Sequence, residues 1–339
     1  MAERKKNVTI RDVAKHAKVS VGTVSRVLAK NETVKQPLLI RVNQSIKALG
    51  YKPNLAARAL RANKDQVLGL VLPDITNPFF AQLAKEIELE ASRHGLAVIL
   101  ASSFDDPKKE ARQVHAILDR SPTGIIVIPA ADERVFKKPD HVPIITIDRP
   151  IKSESDGVFA DQESGASLAA DHVFELGHRN IVYISGPEGT LVSELRQRGF
   201  KNRITELCRD DPSFRLEIRS GLFDYETGER VAREVLSGDS KDRPTAIVAA
   251  SDQQAIGALR EARDIGVTVP SELSIVGFDD ISLANIIVPR LTTIRQPIEA
   301  MATMAVRRVF DLALDEQELD VSCKLIVRTS TAPAPSSNT

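Results

Sequence analysis

The chain has 339 residues, with 46 Lys or Arg balanced by 46 Asp or Glu, 42% hydrophobic residues, two Cys and no Trp. That length and apolar fraction exclude a disordered chain and exceed the usual size of one core, so more than one domain is expected. The neutral total conceals an asymmetry: the first 65 residues carry 15 basic against 4 acidic side chains, and the remaining 274 carry 31 against 42. A basic head on an acidic body implies a polyanionic partner for the head.

Other function classes find little support. No stretch is long enough to cross a membrane, and the opening Met-Ala-Glu-Arg-Lys-Lys is followed by no apolar run, so a cytoplasmic location is expected. Cys208 and Cys323 have no metal spacing and are expected as reduced thiols, and His172 with His178 lacks the further ligands of a zinc site. Neither a Gly-x-Gly-x-x-Gly after the first strand nor a phosphate loop is present. No cofactor, no metal and no enzymatic activity are therefore expected.

Along the chain, Ile10, Val13, Ala14 and Ala17 recur at helical spacing and give a first short helix one buried stripe. Ser20 is a good N-cap for a second helix, which turns Val24, Val27 and Leu28 inward and leaves Val21, Gly22, Ser25 and Arg26 outward. A third stretch from about Lys35 to Leu49 supplies Leu39, Val42, Ile46 and Leu49 to close a three-helix core, and Gly50 ends it. Two short crossed helices in a basic head read as a helix-turn-helix. Next, Pro53 discourages helix before it and Asn54 can cap one after it, but only about eight residues remain, and isolated helices below roughly 12 residues are marginal in water. This connector is expected to order only with help from DNA, a partner chain or both.

Beyond Lys64, short apolar runs alternate with helical stretches, the pattern of a parallel α/β body. Val67–Leu72, Ala97–Ala101, Gly124–Ile128 and Ile144–Ile147 read as buried strands, with helices near 78–94 and 107–119. A second series has strands at Ile181–Ile184, Leu216–Arg219, Ala246–Ala249 and Ser274–Val276, with helices near 163–176, 192–208, 226–236 and 252–264. A helical segment from about Ile298 to Asp315 and a last strand near 324–328 follow, and the small, polar tail from Ala332 is expected to be disordered.

The string Thr9-Ile-Arg-Asp-Val-Ala through Val-Ser-Val-Gly-Thr-Val-Ser-Arg-Val-Leu28, then Tyr51-Lys-Pro-Asn and Ala57-Arg-Ala-Leu60, resembles the lactose/galactose repressor (LacI/GalR) family, and the likeness spans nearly the whole chain. It implies a ligand-responsive transcriptional regulator of the repressor type, a homodimer that lays each second helix in the major groove of operator DNA and sets paired hinge helices into the minor groove. By position, Val21, Gly22 and Arg26 match base-reading residues and Leu60 the leucine that wedges between base pairs. Thr9, Ser20, Thr23, Ser25 and Asn31 match phosphate contacts, with Asn54 and Arg61 beside them. Gly22 departs from the side-chain-bearing residue usual there. The implied domains are a head over 1–53, a hinge helix and linker over 54–65, and an effector-binding and dimerisation body over 66–333, ahead of a tail at 334–339. In the body, two doubly wound parallel-sheet subdomains of periplasmic-binding-protein type, about 66–160 plus 298–323 and about 161–291 plus 324–333, face each other across a cleft that the chain crosses three times. A secreted sugar-binding protein is the rival reading, disfavoured by the basic head and the absent leader.

Ligands of such folds bind at the carboxyl ends of parallel strands. There the chain offers Asn77 to bond a hydroxyl, Phe79 and Phe80 to stack on an apolar sugar face, Asp148 with Arg149, Arg196 on a helix, Phe223, Ser251, Asp279 and, in the crossover 292–297, Gln296. Asn77, Asp148, Arg149, Arg196, Phe223, Asp279 and Gln296 match the family's ligand-contacting positions. Ser251 departs from the Asn frequent there. The set suits a sugar or sugar acid, and a purine less well.

Overall fold

The computed structural model describes residues 10–28, 36–49, 67–139, 142–152, 157–239, 243–310, 312 and 320–335. Two compact units result, residues 1–65 and 66–339. In the first, α1 (Ile10–Ala17), α2 (Val21–Leu28) and α3 (Gln36–Leu49) enclose Val13, Ala14, Ala17, Val24, Val27 and Val42, with Leu39, Ile46 and Leu49 packed at the edge. Lys18 turns the chain between α1 and α2 with a φ of 51°. Ser20 Oγ then accepts from the Thr23 N–H at 3.2 Å and meets Thr23 Oγ1 at 2.9 Å, satisfying an amide that the first turn of a helix leaves without a partner.

The second unit holds two sheets. Strands β1 (Val67–Leu72), β2 (Ala97–Ser102), β3 (Gly124–Val127), β4 (Ile144–Ile147) and β5 (Gly157–Val158) pair in parallel in the order β2-β1-β3-β4-β5. Helices α4 (Pro78–Arg93) and α5 (Pro107–Leu118) connect them. Each starts with Pro at its first position behind a capping side chain, Asn77 or Asp106, that accepts backbone N–H bonds.

After β5 the chain enters the other sheet: β6 (Asn180–Ser185), β7 (Arg215–Ser220), β8 (Ala246–Ala249), β9 (Ser274–Asp279), β10 (Thr292–Arg295) and β11 (Lys324–Ile326), ordered β11-β10-β9-β8-β6-β7. Between them run α6 (Gln162–Glu175), α7 (Leu191–Leu207), α8 (Tyr225–Leu236) and α9 (Asp252–Asp264). Then α10 (Ile298–Val309) returns to pack on α4 and the first sheet, and β11 lies back on the second. The apolar runs at β3, β8 and β9 are buried at every residue, as strands covered on both faces must be. Helices α8 and α9 pack closely: a Cβ on Gly228 would stand 2.0 Å from the Gln254 carbonyl oxygen, and one on Gly257 2.0 Å from that of Tyr225.

Four details differ from the sequence reading. Thr292–Arg295, expected as a bare crossover, is strand β10; Thr292 and Thr293 are fully buried because their hydroxyls find partners, Thr293 Oγ1 donating to Asp252 Oδ1 at 2.5 Å. Two-residue β5 is too short to show a period. Strand β11 stops at Ile326 and runs antiparallel to β10, an edge strand on an otherwise parallel sheet. The tail is held as far as Ala334, whose N–H donates to Leu176 O at 2.8 Å, while the Ala332 N–H reaches Ser274 Oγ at 3.1 Å. Its polar composition said nothing of the backbone groups that meet it.

Candidate functional site

A cavity of about 500 Å³ lies between the two sheets, within the roughly 300–1,000 Å³ of small-ligand sites. One wall comes from the first turn of α4 and the loops after β1, β2, β3 and β4: Asp74, Asn77, Phe80, Asp105, Asp132 and Arg149 among them. The opposite wall comes from the starts of α7 and α9 and the loop after β7, including Leu191, Phe223, Asp224 and Gln253. Both walls stand at the carboxyl ends of parallel strands.

Four of the residues singled out in the sequence line this cavity: Asn77, Phe80, Arg149 and Phe223. Asn77 Oδ1 is committed to the Phe79 N–H at 3.0 Å, capping α4. Arg149 lies over the Phe80 ring, 5.4 Å from its centroid, and donates to Asp105 at 2.5 Å and to Pro129 O at 3.3 Å. Phe79 is elsewhere. It is buried in the same core cluster as Phe80, edge-on to that ring, and does not reach the cavity. Ser251 is buried and caps α9, its Oγ accepting from the Gln254 N–H at 3.3 Å.

Arg196, Asp279 and Gln296 belong to a closed ring of buried side chains, with Gln162 as fourth member. Arg196 Nε donates to Gln162 Oε1 (2.7 Å), Gln162 Nε2 to Gln296 Oε1 (3.0 Å) and Gln296 Nε2 to Asp279 Oδ1 (2.8 Å). Arg196 Nη2 closes the ring 3.4 Å from Asp279. The guanidinium also donates to Ala250 O at 2.6 Å and stacks over Phe278 at 3.9 Å. Gln162 and Gln296 stand at the first and second passages of the chain between sheets, so the ring ties two crossovers together. Sequence reasoning missed Gln162: it follows a helix-capping Asp161, and only the fold brings it to a residue 134 positions on.

The electrostatics follow from burial. Asp279 is pushed up to about 6, against the pull of Arg196 and the Gln296 amide. Asp148 is raised for the same reason, opposed by Arg196 and Arg149, and its buried Oδ1 has no hydrogen-bond partner. Both aspartates hold a positive φ, 67° at Asp148 and 118° at Asp279, at the ends of strands β4 and β9, a backbone strain typical of functional loops. Among the described residues no group of His, Cys, Asp or Glu could hold a metal ion, and no helix is long and apolar enough to cross a membrane.

In the head, Ser20, Val21 and Thr23 lie at the start of α2, with Val21 exposed. Gly22, Ser25 and Arg26 are on the same helix, where the backbone alone is described. Thr9, Asn31, Asn54, Leu60, Arg61 and the expected hinge helix lie outside the described residues.

Comparison with known proteins places this geometry. Residues 9–54 match the family described as bacterial regulatory proteins, lacI family, and residues 170–331 match the periplasmic binding protein-like domain. The chain is 36% identical over 329 residues to the ribose operon repressor of Halalkalibacterium halodurans, covering 95% of this chain and 97% of that one. Among solved structures it is similar to the lac repressor dimer bound to operator and the anti-inducer ONPF (TM-score 0.80, 25% identity, 96% and 100% of the two chains). It is also similar to a LacI family transcriptional regulator from Enterococcus faecium with bound ribose (TM-score 0.65, 26% identity, 79% and 99%). With a helix-turn-helix head and a two-sheet body matched over nearly its full length, the chain belongs to the lacI family of bacterial regulatory proteins.

Proposed function

We propose that this regulator is a repressor that binds a two-fold related operator as a homodimer in the cytoplasm, with its affinity set by a sugar held between the two sheets. The observation that carries the reading is the cavity itself, walled by both sheets and edged by the Phe80 and Phe223 rings, beside the Arg196–Gln162–Gln296–Asp279 ring. Aromatic faces suit the apolar side of a sugar ring. A ribose operon repressor and a relative holding ribose make a pentose the first candidate. Ligand closing the cleft turns the first subdomains of the dimer against each other, changes the spacing of the two hinge segments and so biases operator affinity. Induction and corepression use the same coupling.

Thermal unfolding against a panel of pentoses, hexoses and purines tests the ligand, since a compound at a hundredfold over its Kd stabilises by about 2.7 kcal/mol. Operator selected from random duplexes is then titrated with and without the active compound. Equal operator affinity in both titrations would sink the coupling.

A further inference from the structure

Resting on the sugar reading of the cavity, we infer that the cleft selects by charge: it takes uncharged or amino sugars and rejects sugar acids and sugar phosphates. Four carboxylates line it, Asp74, Asp105, Asp132 and Asp224, against one guanidinium, Arg149. They come from both walls, so a ligand meets negative charge on either side.

The cations nearby are already engaged. Arg149 is bonded to Asp105 at 2.5 Å and turned over Phe80. Lys152 lies 3.2 Å from Asp132. Arg196 is buried and held by Gln162, Ala250 O and Asp279. A carboxylate or phosphate entering the cavity would have to break one of these pairs to obtain a counter-charge, leaving an aspartate without its partner. Asp74 and Asp224 make no ion pair among the described residues. Asp74 accepts from the Thr76 N–H and hydroxyl at 2.9 and 2.7 Å, and Asp224 accepts from the Thr227 N–H at 2.8 Å as the cap of α8. Those neutral donors fix the carboxylates in place and leave their charge facing the ligand. Hydroxyl groups meet a lining rich in acceptors, and an ammonium would gain from the same field.

Repulsion from two to three net negative charges at about 6–8 Å in a partly solvated cleft amounts to on the order of tenfold or more in affinity. The experiment uses the full chain and matched sets: ribose and glucose, their aldonic acids, their 5- and 6-phosphates, and glucosamine. Thermal shift identifies what binds and calorimetry gives Kd at low and high salt. The expected result is binding confined to neutral or amino members, with any acid at least tenfold weaker than its parent sugar and the gap narrowing as salt screens the field. In Asp74→Asn/Asp224→Asn, whose amide oxygens still accept the Thr76 and Thr227 N–H bonds, the acid gains several-fold on its parent. An acid or phosphate that binds as tightly as its neutral parent overturns charge selection and leaves the sugar cavity standing. No shift from any member of the panel overturns the sugar reading and this inference with it.

Discussion

Asp132 on one wall of the cleft accepts a hydrogen bond from the backbone N–H of Leu191 on the other, at 3.4 Å. Helix α7 has no side-chain cap of its own, because Thr190 Oγ1 donates to Pro187 O and meets Ser193 Oγ instead. A carboxylate from the opposite sheet therefore sits at the positive end of the α7 dipole, a placement worth roughly 0.3–1 kcal/mol. Asp132→Ala is expected to favour the open cleft, weakening ligand binding by about two- to fivefold while the unliganded radius of gyration rises. Unchanged affinity and scattering would show that this bond has no part in closure.

Arg196→Ala removes the donor of both Gln162 and Ala250 O and leaves Asp279 without its cation. Breaking one partner of a buried charge pair costs about 3–5 kcal/mol, so a large drop in the urea midpoint is expected, along with loss of ligand binding. Arg196→Lys restores charge but not the fork, and should recover part of the stability and little of the affinity.

Asp279 gives a pH dependence whose sign follows from its raised value. Between the model-peptide value of 3.8 and about 6 the folded protein holds a proton that the unfolded chain has released, so stability falls as pH rises through that window. Relative to Asp279→Asn, the parent should lose Tm between pH 4 and pH 6 and run parallel above it. Parallel profiles throughout would mean that Asp279 titrates as an ordinary aspartate.

Gly257→Ala tests the close approach of α8 and α9, where the new methyl would collide with the Tyr225 backbone. A loss of about 1–3 kcal/mol is expected from urea unfolding, with ligand affinity little changed.

Two substitutions separate the DNA roles that the family resemblance assigns. Arg26→Ala should lose about 1–3 kcal/mol at one base pair only, seen by titrating operator variants. Leu60→Ala should weaken operator binding with sugar affinity unchanged, and an operator affinity equal to the parent's would count against the wedge.

How much of this was legible beforehand depends on the range over which each feature is decided. The head was readable from Val13, Ala14, Ala17, Val24 and Val27 because three short helices around one small core are specified by 3.6-residue periodicity and a local Ser20 cap. The buried strands announced themselves as apolar runs, and Asn77 sits where a helix cap after a strand must be. Strand β10 was not readable, since three of the four residues in Thr-Thr-Ile-Arg are polar and it becomes a core strand only when Asp252 and Thr331 pair with its hydroxyls.

By itself, then, the order of residues determined most of the elements, the basic head and the loops able to carry a site, because periodicity, capping and charge act within a few residues. Tertiary structure alone decided that Phe80 reaches the cavity and Phe79 does not, that Gln162 completes a ring with Gln296, and that Asp132 caps a helix of the opposite sheet. Each of these rests on contacts between segments tens to more than a hundred residues apart, which form only when two sheets are folded and brought face to face.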